Sequence, residues 1–354
     1  MSGALTYLDH AASTPMRREA VEAMLPFFDQ QFANPNGSHR FARQARAALD
    51  DAREVIAEVV GCRPGEVVFT GGGTEADNTA VLGVVTKRGA TAVCSAAEHH
   101  AVLHAVEQVG GTVVGVDPSG RIDLDQLSDV LDDRVGVVSV MAVNNEVGTV
   151  TDIAAVAEVV RRSGVDAVLH TDAVQAACWL DLRHITPHVN LMSLSAHKFG
   201  GPKGIGALIV RPGGEFDPLL VGGGQERERR SGTQNVAGAV AMAEALRLTD
   251  VERSTETARI AALRDRLVDA LLAALPDVRE TVPRQHKVAG SAHVCIRDIE
   301  NEALLYLLDE GGVCASAASA CAAGAMEPSH VLAAMGVERE WSAGALRLTL
   351  GHST

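Results

Sequence analysis

Between about residues 65 and 211 the chain alternates short β-branched runs with amphipathic stretches, a pattern that few folds accept. The runs fall at 67–70, 92–95, 112–116, 135–140, 167–170, 191–194 and 205–210. Helical periodicity fills several of the gaps, at 75–85, 99–109 and 153–162. Strands that alternate with helices predict a mostly parallel sheet covered on both faces. Such α/β sheets bind ligands beyond the carboxyl ends of their strands. Chemistry is therefore expected where several strands end together.

The flanks differ from this middle. Residues 16–60 read as helices around the loop Asn34-Pro35-Asn36-Gly37-Ser38-His39, and 235–248 and 263–275 as two further helices. Past about 250 the pattern becomes a smaller α+β set, with strands at 293–296 and 346–350 and a helix at 302–309. A length of 354 residues suits about two domains. The expected division is a large domain over 15–248 and a smaller one built from 1–14 and 249–354. No fixed-period repeat and no low-complexity tract is visible.

A net charge of −14 makes nucleic acid and anionic membranes poor partners. No apolar stretch reaches the roughly 18 residues of a spanning helix. The first 15 residues lack a basic n-region and carry Asp9, so they do not read as a secretory signal. The six cysteines miss the paired spacings of zinc sites, and no metal is expected. These features predict a reduced, cytoplasmic protein.

The chain has only four lysines, and one of them, Lys198, lies in Ser195-Ala196-His197-Lys198-Phe199-Gly200-Gly201-Pro202. A lysine amine can condense with an aldehyde to a Schiff base. Pyridoxal 5'-phosphate (PLP) supplies that aldehyde and needs an acidic partner for its ring nitrogen and a cradle for its phosphate. Asp172 follows the apolar run 167–169, and Gln175 lies three residues on, where it could donate to a ring phenolate. Asp172 equally suits a helix N-cap. Gly71-Gly72-Gly73-Thr74 follows the first run and leads into a helix. Glycines admit close backbone approach and a helix start favours phosphate, although a plain turn has the same composition. His99 could stack on a ring and move protons, or simply be a solvated histidine at a helix start. Asn145 lies in a polar turn, and Arg347 lies in a late strand between leucines. An arginine so placed takes a carboxylate, structural or from a substrate. Cys321 ends the run Ala315-Ser316-Ala317-Ala318-Ser319-Ala320-Cys321, which has nothing bulky enough to anchor a core. A thiol on such a loop could reach a pocket, though most cysteines are buried and inert.

Taken together these segments resemble the group I (NifS/IscS-type) cysteine desulfurases, within the class V aminotransferases of PLP fold type I. The resemblance runs from Tyr7-Leu8-Asp9-His10-Ala11-Ala12-Ser13-Thr14-Pro15 through Gly73-Thr74-Glu75-Ala76-Asp77-Asn78, Asn144-Asn145-Glu146 and Ser195-Ala196-His197-Lys198. It continues through Arg230-Ser231-Gly232-Thr233 and Ser319-Ala320-Cys321 to Arg347. It implies that Lys198 carries the cofactor, that Asp172 and Gln175 hold its ring and that His99 stacks on it. Gly73, Thr74, Ser195 and His197 would lie at its phosphate, with Thr233 supplied by the other subunit of a homodimer. Asn145 and Arg347 would bind the carboxylate of L-cysteine. Cys321 would take the sulfur as a persulfide, leaving alanine, and pass it to a protein acceptor for iron–sulfur cluster assembly or thiolation.

The chain departs from that pattern in three places. Its cysteine loop has alanines where many relatives have a Ser-Ser-Gly-Ser-Ala-Cys type run. Cys314 is an extra thiol, expected in a buried strand. Only seven residues follow Arg347, fewer than in relatives whose extension docks a scaffold. Selenocysteine lysis, transamination or a non-catalytic PLP-fold binding role are the alternatives. A loop thiol distinguishes the desulfurase from a transaminase, and Lys198 with Asp172 argues against a merely binding role.

Overall fold

The computed structural model describes residues 5–317 and 329–354, and every structural statement here concerns those residues. A two-residue strand, β1 (Thr6–Tyr7), opens the chain. The central sheet then forms from β2 (Val67–Thr70), β3 (Thr91–Ser95), β4 (Thr112–Val114), β5 (Val135–Ser139), β6 (Val168–Asp172), β7 (Leu191–Ser195) and β8 (Gly206–Val210). Its order is β2-β8-β7-β6-β5-β3-β4. The neighbours from β7 to β4 pair in parallel, while β8 runs antiparallel to both β2 and β7.

Every residue of β5, β6, β7 and β8 is buried. Successive side chains therefore enter two different cores, as the pleat requires. Val137, Val168, Leu191 and Leu208 join a cluster with Val84, Val102 and Val106 on one side. Val138, Leu169, Met192 and Ile209 join Leu49, Ile56 and Leu246 on the other. This double burial is why the strands read as unbroken β-branched runs. The run at 112–116 stops at Val114, because the Gly115 N–H donates to the Gln126 side chain instead of a ladder.

A smaller sheet of order β12-β10-β9 comprises β9 (Val278–Glu280), β10 (Ser291–Ile296) and β12 (Ala345–Thr349), all antiparallel. Between them in sequence, β11 (Val313–Cys314) returns to pair in parallel with β1. The two helices expected at 235–248 and 263–275 are one, Val236–Ala274. No glycine or proline interrupts residues 249–262, and Asp250–Arg253 and Glu256–Arg259 ion pairs at helical spacing bridge them. The helix also changes its buried face. Met242 and Leu246 pack against the central sheet, whereas Ile260 and Val268 pack with Ala292 and Leu348 of the smaller one. The expected division at 248/249 falls inside this helix.

Candidate active site

Several central strands deliver their ends to one open cavity. β2 ends at Thr70, and Gly71-Gly72 lead into the helical stretch from Gly73; β6 ends at Asp172; β7 ends at Ser195, followed by the single turn Ala196–Lys198. Gly73, Thr74, His99, Asn145, Asp172, Gln175, Ser195, His197, Lys198 and Arg347 all line the cavity. These are the expected site residues except Thr233, which is exposed and lines no part of this cavity, and Cys321, which lies outside the described residues.

The N-terminal segment sets the lysine. Lys198 Nζ donates to the carbonyls of Ala11 (2.6 Å) and Ala12 (3.0 Å), and Gln175 Nε2 donates to Ala11 O at 2.7 Å. Burial, and next the Arg347 guanidinium, pull the Lys198 ammonium down to about 8, against the pull of Asp172 and Asp9. Burial and then Lys198 hold both His99 and His197 down to about 4, so both imidazoles are neutral near neutral pH. His99 also caps its own helix, its Nδ1 accepting from Ala101 N at 3.1 Å.

Asp172 is 4% exposed, and its Oδ1 accepts from Val174 N at 2.8 Å. Burial raises its carboxyl to about 6, which Lys198 partly offsets. At the other end of the cavity Gly73 leaves room that no larger residue would. A Cβ there would stand 2.9 Å from Val174 Cγ2 and 3.4 Å from Ser195 Cβ. Gly72, just before it, has φ +152, which side-chain-bearing residues rarely adopt.

Arg347 reaches the cavity from β12. Its Nη1 donates to the Asn145 carbonyl at 2.9 Å and its Nη2 to Asp9 Oδ1 at 2.8 Å. Among the described residues its Nε is buried without a partner. The arginine thus has its structural carboxylate, through one nitrogen, and its Nε–H is left for something else.

The family model for class-V aminotransferases matches residues 6–354. The chain belongs to the class-V aminotransferases. It is 40% identical over 98% of its length to the cysteine desulfurase IscS of Dictyoglomus turgidum, covering 90% of that relative. It is 43% identical over 99% of its length to an IscS-like cysteine desulfurase of Mycobacterium tuberculosis, covering 92% of it. A solved NifS-like protein superposes with a TM-score of 0.91 at 33% identity, over 98% of this chain and 94% of that one.

Class-V aminotransferases of the IscS type depend on PLP, and the donor set fits it. A buried carboxylate suits a ring nitrogen, Lys198 offers an amine, and the glycine at 73 leaves a cradle beside Ser195. Three features of this class-V aminotransferase were not legible in sequence. The first is Asp9, whose ion pair with Arg347 joins residues far apart in the chain. The second is Asp77, a buried cavity residue inside the phosphate-side motif. The third is the Glu146 carboxylate, which accepts a hydrogen bond from Ser329 Oγ beside Asn145; burial raises its carboxyl. Cys314, expected to be buried, is half-buried in the β1–β11 pair, because a two-strand ribbon covers only one face.

Proposed function

We propose that this chain is a PLP-dependent cysteine desulfurase that converts L-cysteine to L-alanine and leaves the sulfur on Cys321. The observation that carries the reading is the convergence of Lys198, Asp172, Arg347 and the Gly73–Ser195 cradle on one cavity. When bound there, PLP supplies an electron sink for charge building next to the substrate amine. Asp172 would hold the ring nitrogen with a negative charge, and Gln175 would donate to the ring oxygen. Thr74, Ser195 and His197 would hold the phosphate, and His99 would stack on the ring.

Arg347 offers its unpartnered Nε, together with Asn145, to the cysteine carboxylate. An amine held near 8 gives Lys198 both protonation states near neutrality, so it can accept and return a proton at the substrate carbon. The C–S bond then breaks, and its electron pair stays with carbon, which takes a proton to become the methyl of alanine. The Cys321 thiolate supplies the pair for the new S–S bond. The bound sulfur passes to a thiol of a protein acceptor.

The unit is a homodimer. Phe28, Phe32 and Val221 stand 63%, 70% and 81% exposed, apolar side chains that a partner subunit would cover. Thr233 follows Val221 on an exposed segment, where it can serve a neighbour's phosphate site. That segment is held by a buried ion pair, in which both Arg53 amino groups bind Glu226 at 2.8 and 2.9 Å. The described cysteines are all free thiols, which suits the reducing cytoplasm. The test is product analysis. Purified protein given L-cysteine and a reductant forms alanine and sulfide in equal amounts, and equal keto acid instead would mark a transaminase.

A further inference from the structure

A second carboxylate stands behind Asp172. Asp77 comes from the helical stretch after Gly73, is 2% exposed and lines the same cavity. Its Oδ1 is buried with no hydrogen-bond partner among the described residues. Two buried carboxylates lining one cavity do not both ionise cheaply. One cation, Lys198, faces Asp172. The groups that face Asp77 are Asp172, Glu98, His170 and Ser193, and none of them supplies a positive charge.

Among the described residues, His170 is the basic group paired with it, with Nε2 3.7 Å from Asp77 Oδ1. Its ring is fixed by a ladder across three adjacent strands. Nδ1 meets Ser139 Oγ at 2.8 Å and Nε2 meets Ser193 Oγ at 2.9 Å, and all three residues are 0% exposed. His170 pairs in register with Ser139, and Asp172 pairs with Ser193. His170 and Asp172, two apart in β6, share one face of the sheet. A neutral imidazole has one donor and one acceptor, and two hydroxyls satisfy both. Burial holds the imidazole down to about 3, so it offers Asp77 no cation. Burial and then the charge on Asp172 push the Asp77 carboxyl well up.

We propose that Asp77, seated on the Ser139–His170–Ser193 ladder, is a positioning residue that holds a proton beside Asp172 and keeps the site's negative charge on Asp172. This rests on the reading of Asp172 as the partner of the cofactor ring nitrogen. A lone anion there favours a protonated ring. A second anion would share the attraction for that proton and would raise Asp172 until it, too, became neutral.

The test is infrared spectroscopy of the holoenzyme at neutral pH, with carboxyl-labelled aspartate to separate it from Glu98 and Glu146. Wild type and Asp172→Asn show a protonated aspartic acid band, and Asp77→Asn lacks it. In Asp77→Asn, whose amide imitates the neutral acid, the acid limb of kcat/KM does not move. No band in the wild type, or a band that survives in Asp77→Asn, overturns the proposal. So does an acid limb that moves to lower pH in Asp77→Asn, because that is the effect of removing a negative neighbour of Asp172. Should Asp77→Asn fail to fold, Asp77→Ser takes its place in the same comparison. Alanine formation by the wild type is scored in parallel: its absence sinks the desulfurase reading, while the band still decides where the proton sits.

Discussion

Asp9 and Arg347, 338 positions apart, are joined by a 2.8 Å ion pair that ties the N-terminal segment to the last strand. The same N-terminal segment supplies the carbonyls that hold Lys198 and Gln175. One short stretch therefore aims both the guanidinium of Arg347 and the amine of Lys198. Removing the guanidinium in Arg347→Ala costs on the order of 3 kcal/mol, about a hundredfold in kcat/KM for cysteine, with PLP binding unchanged. Asp9→Asn leaves the guanidinium in place but less fixed, and lowers kcat/KM by about tenfold, mostly through KM. Steady-state kinetics on both variants checks this. Wild-type values in Arg347→Ala would mean that the pair with Asp9 is its whole role.

The Lys198 amine, held near 8, reacts with a small amine-directed reagent half-maximally near that pH in cofactor-free protein. The linkage has a definite sign. The folded value lies below that of a free lysine, so unfolding takes up a proton between pH about 8 and 10.5, and folding stability rises with pH across that window. Melting curves of cofactor-free wild type and Lys198→Met measure it. Wild type gains on the variant as pH rises through the window; a constant difference would show an ordinary amine.

A methyl group at position 73 meets Val174 and Ser195 at the mouth of the cradle. Gly73→Ala therefore weakens PLP binding by at least about tenfold, with little loss of secondary structure. Absorbance titration of cofactor-free protein reads the affinity, and circular dichroism reads the fold. Undiminished affinity would place the phosphate elsewhere.

The shared-site reading of Thr233 is tested by complementation. Lys198→Ala and Thr233→Trp chains are each inactive, and subunit exchange between them restores a site that has both residues intact. Activity on the order of a quarter of wild type is expected, since half the chains' sites are candidates and exchange is statistical. No recovery after exchange is demonstrated would mean that each chain completes its own site.

The central sheet was legible because burial on both faces leaves little besides β-branched and small residues in β5 to β8. The antiparallel entry of β8 was not, since direction leaves no mark on composition. The long helix Val236–Ala274 was split because its apolar stripe changes phase where it passes from one sheet to the other. At the site, residues in contiguous motifs were legible: Lys198, Asp172, Gly73 and Arg347 all line the cavity. Asp9, Asp77 and the His170 ladder were not, because each acts through a partner distant in sequence or on the next strand.

The account depends most on where the sulfur goes. The direct measurement is mass spectrometry of the peptides after one turnover with L-cysteine and no reductant. One added sulfur atom on Cys321, with an equal amount of alanine released, is the predicted result; in Cys321→Ser the protein keeps its yellow colour and gains no sulfur. Sulfur found on Cys314, or alanine formed at an undiminished rate by Cys321→Ser, would contradict it.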